Sequence, residues 1–240
     1  MGNQEGFYEE YWQQMEKVGR IRNREGARIQ PRIQIAISMV SKKDFITCID
    51  VGCGEGILGK LLREKFGDNL YIVGLDISER ALKHAAPYYD KLFQINLDSD
   101  ELPKEISEEK FDYIFCLETL EHLFKPERVL GIFKRILKSG GEVIISFPNI
   151  AWYKYRIELL RGKPPKYYLF SPGEHVQQFT LHSIKKLLEE KGFIVVKMDG
   201  QFVGPRFLRP RKIFAAFLKR FPSLFGYQLV IKARLMEEKT

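Results

Sequence analysis

The sequence predicts an α/β domain wound around a parallel sheet, on three observations. Between Phe45 and Gly200, short β-branched apolar runs alternate with stretches of helical period. The first run ends in a glycine-rich turn, Gly52-Cys53-Gly54-Glu55-Gly56, that opens a helix. The chain of 240 residues, 45% hydrophobic and 29% charged, is long enough for one large domain with a real core. In order, periodicity predicts helices over 7–18 and 28–40, then a strand over 45–51 (FITCIDV) and the helix 56–66 launched by the glycine turn. A strand over 70–75 (LYIVGL), a helix over 79–86 and a strand over 91–96 follow. The run 111–117 (FDYIFCL) is a fourth strand, 126–138 a helix and 142–147 (EVIISF) a fifth strand. A helix over 180–191 is introduced by Thr180 as N-cap and ended by Gly192, and strands over 193–198 and 227–233 complete the set. Residues 1–44 thus form an N-terminal helical cap and 45–240 the main domain, with insertions at 148–178 and 200–226 that interrupt the alternation.

Composition excludes a disordered, collagen-like or disulfide-framed chain. No apolar run approaches the ~20 residues of a membrane span, and the N-terminus lacks a basic flank and apolar stretch, so a cytoplasmic location is expected, with peripheral membrane attachment left open. Cys48, Cys53 and Cys116 sit in or beside apolar runs, which suits reduced thiols. The net charge of +8 is concentrated. From Lys17 to Lys43 there are eight cations (Lys17, Arg20, Arg22, Arg24, Arg28, Arg32, Lys42, Lys43) and one acid, Glu25. From Gly200 to Gly226 there are six (Arg206, Arg209, Arg211, Lys212, Lys219, Arg220) and none. Such clusters either steer anionic partners such as RNA, phosphorylated metabolites or lipid headgroups, or form solvated faces.

The glycine turn is out of register for a dinucleotide. The sixth residue of a hexapeptide begun at Gly52 is Ile57, and the fit begun at Gly54 starts after the strand has ended. Asp50, two residues before Gly52, would repel a pyrophosphate and calls for a positive ligand group. Asp50-x-Gly52-x-Gly54-x-Gly56 resembles the first motif of class I S-adenosylmethionine-dependent methyltransferases. Further motifs follow at matching spacing: Val73-Gly74-Leu75-Asp76-Ile77-Ser78, Gln94-Ile95-Asn96-Leu97-Asp98, Phe111 to Glu118, and Gly140-Gly141-Glu142-Val143-Ile144-Ile145-Ser146. The resemblance covers roughly residues 45–200. It implies a Rossmann-like seven-stranded mixed sheet, last strand antiparallel, with helices on both faces. It also implies S-adenosylmethionine as cofactor, held by Asp50, Gly52, Cys53, Gly54, Gly56, Asp76, Ile77, Asn96, Leu97, Cys116 and Leu117, with Asp76 on the ribose hydroxyls and Asn96 near the adenine edge. Phe7, Tyr8, Tyr11 and Trp12, spaced i, i+3, i+4, are expected to dock the first helix over that site.

After the fourth strand, Glu118, Glu121 and His122 would share one face if helical. The acid-x-x-Glu-His pattern resembles the ubiquinone-biosynthesis O-methyltransferases and the small-RNA 3′-terminal 2′-O-methyltransferases. There the acids and the histidine bind a divalent cation, and the RNA branch adds a distant histidine, for which His175 is the candidate. The implied metal ligands are Glu118, Glu121, His122 and His175, suited to Mg2+, Mn2+ or Zn2+. Without metal, His122 or His175 is a candidate general base, with Glu121 beside them. A structural alternative has Glu118 touch the cofactor while Glu121-His122 cap a short helix. The stretch from Ser146-Phe147-Pro148-Asn149 to Pro164 also resembles methionine-biosynthesis-associated methyltransferase-like proteins, which generally lack the Glu-His pair.

Trp152, Tyr153, Tyr155, Tyr167, Tyr168 and Phe170, interleaved with Lys154, Arg156, Arg161, Lys163 and Lys166, form either a stacking surface or a packed cap. Phe207, Phe214, Phe217, Leu218 and Phe221 recur at helical spacing beside cations, as in an interfacial amphipathic helix or a lid packed on the core. The expected activity is S-adenosylmethionine-dependent O-methylation of a small or lipid-linked substrate. Two alternatives stand beside it: an RNA 2′-O-methyltransferase, and a non-catalytic S-adenosylmethionine-binding partner protein. The oligomeric state is not legible in the sequence.

Overall fold

The computed structural model describes residues 4–18, 29–41, 44–165, 175–204 and 212–236, with backbone alone for 212–215. Seven strands form one sheet in the order β3-β2-β1-β4-β5-β7-β6. They are β1 (Ile46–Val51), β2 (Leu70–Asp76), β3 (Lys91–Gln94), β4 (Phe111–Leu117), β5 (Leu137–Pro148), β6 (Phe193–Phe202) and β7 (Gly226–Leu235). β1 to β5 pair in parallel, and β7 runs antiparallel to both β5 and β6. This is the expected mixed sheet. β1 and β4 are buried on both faces, which explains their near-continuous apolar sequence.

Helices cover both faces and divide the core in two. On one face α6 (Pro126–Ile136) buries Val129, Leu130, Phe133 and Ile136, and α8 (Leu181–Glu190) buries Leu181, Ile184 and Leu188. Thr180 caps α8, accepting from the Ser183 amide at 3.0 Å, while Ser183 Oγ accepts from the Thr180 amide at 2.9 Å. On the other face α2 (Pro31–Ser38) and α3 (Ile57–Phe66) pack Ile33, Ala36, Leu58 and Leu62 against β1 and β2. Of the expected 1–44 cap, therefore, α1 (Gln4–Lys17) lies outside the core, with no buried residue, whereas α2 is built into it.

Several boundaries differ from expectation. α2 starts at Pro31, whose missing amide suits the first helical position. β5 begins at Leu137 because that residue pairs with Phe111, and the ladder resumes with Tyr113 opposite Glu142 after a register shift spanning the Gly140-Gly141 turn. α4 (Glu79–Ala85) agrees with expectation, whereas α5 (Lys104–Ser107), α7 (Tyr153–Leu160) and α10 (Pro222–Phe225) carry too little periodicity to be predicted. The amphipathic segment of the second insertion is α9 (Lys212–Arg220). Outside the described residues lie Arg20, Arg22, Arg24, Glu25, Arg28, Lys42 and Lys43, Lys166, Tyr167, Tyr168 and Phe170, and Arg206, Phe207, Arg209 and Arg211. Among the described residues no helix is long and apolar enough to cross a membrane.

Candidate active site

A cavity of about 370 Å³ opens at the carboxyl ends of β1, β2 and β4, roofed by α1. The loop after β1 is fixed from below. Gly52 and Cys53 both donate their amides to the Leu75 carbonyl, at 2.8 and 2.9 Å. The Gly54 amide donates to Asp76 Oδ2 at 2.8 Å, and Asp76 Oδ1 accepts from the Ser78 amide at 3.0 Å. Gly52, Cys53, Gly54, Asp76 and Ile77 line the cavity. Gly56 does not; at φ +84° it starts α3, and a Cβ there would lie 2.7 Å from Ala85 Cα.

Asp50 lines the cavity and is 2% exposed. Its Oδ2 accepts a 2.6 Å hydrogen bond from Tyr89, whose hydroxyl in turn accepts from the Gly59 amide at 3.1 Å. Burial raises the Asp50 carboxyl from 3.8 to about 7, the Tyr89 hydrogen bond opposes this, and the neighbouring Asp76 charge adds to it. The folded value lies above the ordinary one, so this group's contribution to stability falls as pH rises from about 4 to about 7. A cationic ligand favours the ionised form and reverses that loss. Cofactor affinity is therefore expected to rise with pH and level off above about 7, with roughly tenfold weaker binding one unit below the plateau. Calorimetry at about pH 6 in buffers of different ionisation enthalpy checks this. Binding should release a proton there in the wild type and not in Asp50→Asn.

Asn96 and Leu97 line the far wall. Asn96 Oδ1 accepts from the Asp98 amide at 3.0 Å. Asp98 itself is engaged elsewhere: its carboxylate accepts from the amides of Phe124 and Lys125 at 3.1 and 3.0 Å and from Gln4 Nε2 at 3.3 Å. The roof carries Phe7, Tyr8, Tyr11 and Trp12 from α1, as their spacing predicts. It is tied down by polar contacts. Glu9 accepts from Ser78 Oγ at 2.7 Å, and Glu16 lies 2.9 Å from Arg80 and 2.7 Å from His84.

Cys116 is fully buried in the core and does not line the cavity, because it alternates with its lining neighbour Leu117 along β4. At the strand's end Glu118 sits in the left-handed region, φ +54°, so Glu118, Glu121 and His122 do not form the expected helical face. Glu118 Oε1 accepts from Ser146 Oγ at 3.1 Å and Oε2 from Gln228 Nε2 at 3.0 Å. Those bonds hold it apart from a second cluster. Leu120–His122 is a single 3-10 turn, and the Glu121 carbonyl accepts from the amides of Val176 and Gln177, both at 2.8 Å. This pins the distant segment beside the turn and brings the His122 and His175 rings to 4.9 Å between centroids. Ligand atoms of Glu121, His122 and His175 all lie within 4.8 Å of one another.

Glu121 is fully buried, and neither carboxylate oxygen has a hydrogen-bond partner among the described residues. Burial first, and the charge of Glu118 second, hold its carboxyl well above the usual range. A buried carboxyl of this kind stays protonated or meets a cation, so the residues present fit a divalent ion at three ligands. Sequence reasoning missed two residues. Tyr89 underlies Asp50, a contact across 39 positions that no motif reveals. Arg32, at the second position of α2, had been one cation in a charged run. It lines the cavity with its Nε buried and without a hydrogen-bond partner among the described residues, and its charge partly offsets the upward shift of the Glu121 carboxyl.

A glycine turn whose amides rest on the end of the second strand, at the Leu75 carbonyl and the Asp76 carboxylate, an aspartate under the turn, and a seven-stranded sheet ending in an antiparallel pair define the class I S-adenosylmethionine-dependent methyltransferase type of site. The chain belongs to the methyltransferase-domain family, whose model matches residues 11–198. It is 32% identical over 143 residues to the ubiquinone biosynthesis O-methyltransferase of Dechloromonas aromatica, covering 58% of this chain and 53% of that protein. It is 26% identical over 158 residues to a probable S-adenosylmethionine-dependent methyltransferase of Mycobacterium tuberculosis, covering 66% and 52%. The matched stretch thus spans about half the length of these curated relatives. A solved S-adenosylmethionine-dependent methyltransferase of Archaeoglobus fulgidus superposes with a TM-score of 0.61 at 18% identity, over 84% of this chain and 91% of that one. A second, from Thermotoga maritima, gives 0.60 at 18% identity, over 95% and 96%. At such identities these structures establish the fold alone.

Proposed function

We propose that the chain transfers the methyl group of S-adenosylmethionine to an oxygen of a small or lipid-linked acceptor, with a divalent cation held by Glu121, His122 and His175. The observation that supports this reading is one cavity running from Asp50 and Asp76 to His122 and His175. The cofactor supplies a methyl group on a sulfonium, activated for in-line displacement. The protein's work is placement. Asp50 offers negative charge to the ammonium and sulfonium, Arg32 offers positive charge to the carboxylate, and Asp76 stands at the ribose. With a cation held there, His122 would serve as a ligand; without one, its imidazole, in the same cavity, accepts the acceptor's hydroxyl proton as general base. A cation at the cluster would lower the pKa of that hydroxyl and fix its position. The names of the ubiquinone-biosynthesis relatives support oxygen as the acceptor atom.

The test is calorimetry of chelator-treated protein saturated with S-adenosylhomocysteine, titrated with Mg2+, Mn2+ and Zn2+. Wild type should take up one ion per chain, and His122→Ala and His175→Ala should each abolish uptake while retaining the nucleoside. Failure of wild type to bind any of the three ions removes the metal from this reading and leaves His122 acting alone as base.

A further inference from the structure

Three short helices rise from one end of the sheet. α7 follows β5 at Pro148, and α9 and α10 lead into β7 at Gly226. Because β7 runs antiparallel to β5, both connections stand at the carboxyl end of β5, where Ser146 and Gln228 hold Glu118. The helices meet through their rings. Tyr153 lies 5.8 Å and Phe217 6.0 Å from Phe225 between centroids, and Arg156 donates to the Ser223 carbonyl at 3.4 Å.

Outside this seam the surface is apolar and basic. Leu160 is 87% exposed, Leu159 55%, Phe221 48% and Phe217 47%. Residues 151–165 carry Lys154, Arg156, Arg161 and Lys163 against the single acid Glu158, and residues 216–225 carry Lys219 and Arg220 with no acid. Lys219 pairs with Asp199 of β6 at 2.9 Å. Large apolar side chains turned to water and flanked by cations mark an interaction face. The combination of inserted Leu and Phe with surrounding Lys and Arg complements one kind of partner, an acyl layer beneath anionic headgroups.

We propose that α7 and α9 seat this protein on an anionic lipid surface, with the end of the sheet that carries the site turned toward the bilayer. Leu160, Leu159, Phe217 and Phe221 enter the headgroup boundary, and Arg161, Lys163 and Arg220 lie against the phosphates. This inference rests on the exposure and charge of the two helices and stands whether or not an oxygen is the methyl acceptor.

The test is flotation of the full chain with vesicles of phosphatidylcholine alone or doped with phosphatidylglycerol, at low and high salt. Wild type should float with the anionic vesicles only and be released by salt. The double variant Leu160→Glu/Phe217→Glu should partition at least about tenfold less, as should Arg161→Glu/Lys163→Glu/Arg220→Glu. Both should bind S-adenosylhomocysteine like wild type, which shows that they fold. Three results overturn the proposal: no partition of wild type into anionic vesicles at low salt, partition equal in wild type and both variants, or a dimer or RNA complex in place of vesicle binding that the Leu160→Glu/Phe217→Glu change disrupts. Loss of methyl transfer with vesicle binding intact would bear on the proposed activity and not on this face.

Discussion

His122→Ala is expected to lower kcat by about a hundredfold to ten-thousandfold, the range for loss of a general base, and to leave S-adenosylhomocysteine affinity within about twofold of wild type. The separation follows from the geometry. His122 lines the cavity with its ring 4.9 Å from His175 and 6.0 Å from Tyr8. The cofactor loop is built independently by Leu75, Asp76 and Tyr89. His122→Asn keeps a polar side chain in that position without a titrating nitrogen, so it should lose kcat as His122→Ala does. A mass-spectrometric assay of methyl transfer, paired with calorimetry of the nucleoside, reads both halves. Affinity collapsing together with kcat would mean that His122 supports the cofactor rather than the acceptor.

The second large effect is expected at Asp76. Its two carboxylate oxygens take the amides of Gly54 and Ser78, so Asp76→Ala removes the acceptors that shape the turn as well as the carboxylate proposed for the ribose. A partly buried amide left without a partner costs about 1–3 kcal/mol. With two amides and the ribose contact affected, the dissociation constant for S-adenosylhomocysteine should rise by about a hundredfold or more. Asp76→Asn, which retains one acceptor oxygen, should fall between. Unchanged affinity in Asp76→Ala would show that the Leu75 carbonyl alone orders the loop.

Much of this was legible in the sequence for identifiable reasons. β1 and β4 lie inside a parallel sheet, so Ile46–Val51 and Phe111–Leu117 read as near-continuous apolar runs. The Gly52–Gly56 turn must take left-handed backbone, which only glycine adopts freely, so its function is written in its composition. The aromatic spacing of α1 located the roof because Phe7, Tyr8, Tyr11 and Trp12 face a ligand space. Helical spacing misled at Glu118. Its left-handed conformation goes with hydrogen bonds to Ser146 and Gln228, partners 28 and 110 residues away, and local periodicity carries no trace of them. His175 could be matched to His122 only by resemblance. The bonds that unite them run from the backbone of Val176 and Gln177 to the Glu121 carbonyl, and any residue types could make them. Tyr89 and Arg32 were hidden for the same reason: each acts through a tertiary contact or a cavity that forms only when the sheet does.

The membership of this chain in its family predicts a nucleoside cofactor before it predicts any acceptor, and that prediction is the one to test most directly. Titrating the purified chain with S-adenosylhomocysteine by calorimetry at about pH 7.5, above the Asp50 value of about 7, should give saturable binding at one site per chain, which Asp76→Ala abolishes or weakens by about a hundredfold. Absence of binding by the folded wild type, or binding that Asp50→Asn and Asp76→Ala leave untouched, would contradict the assignment of this cavity to S-adenosylmethionine.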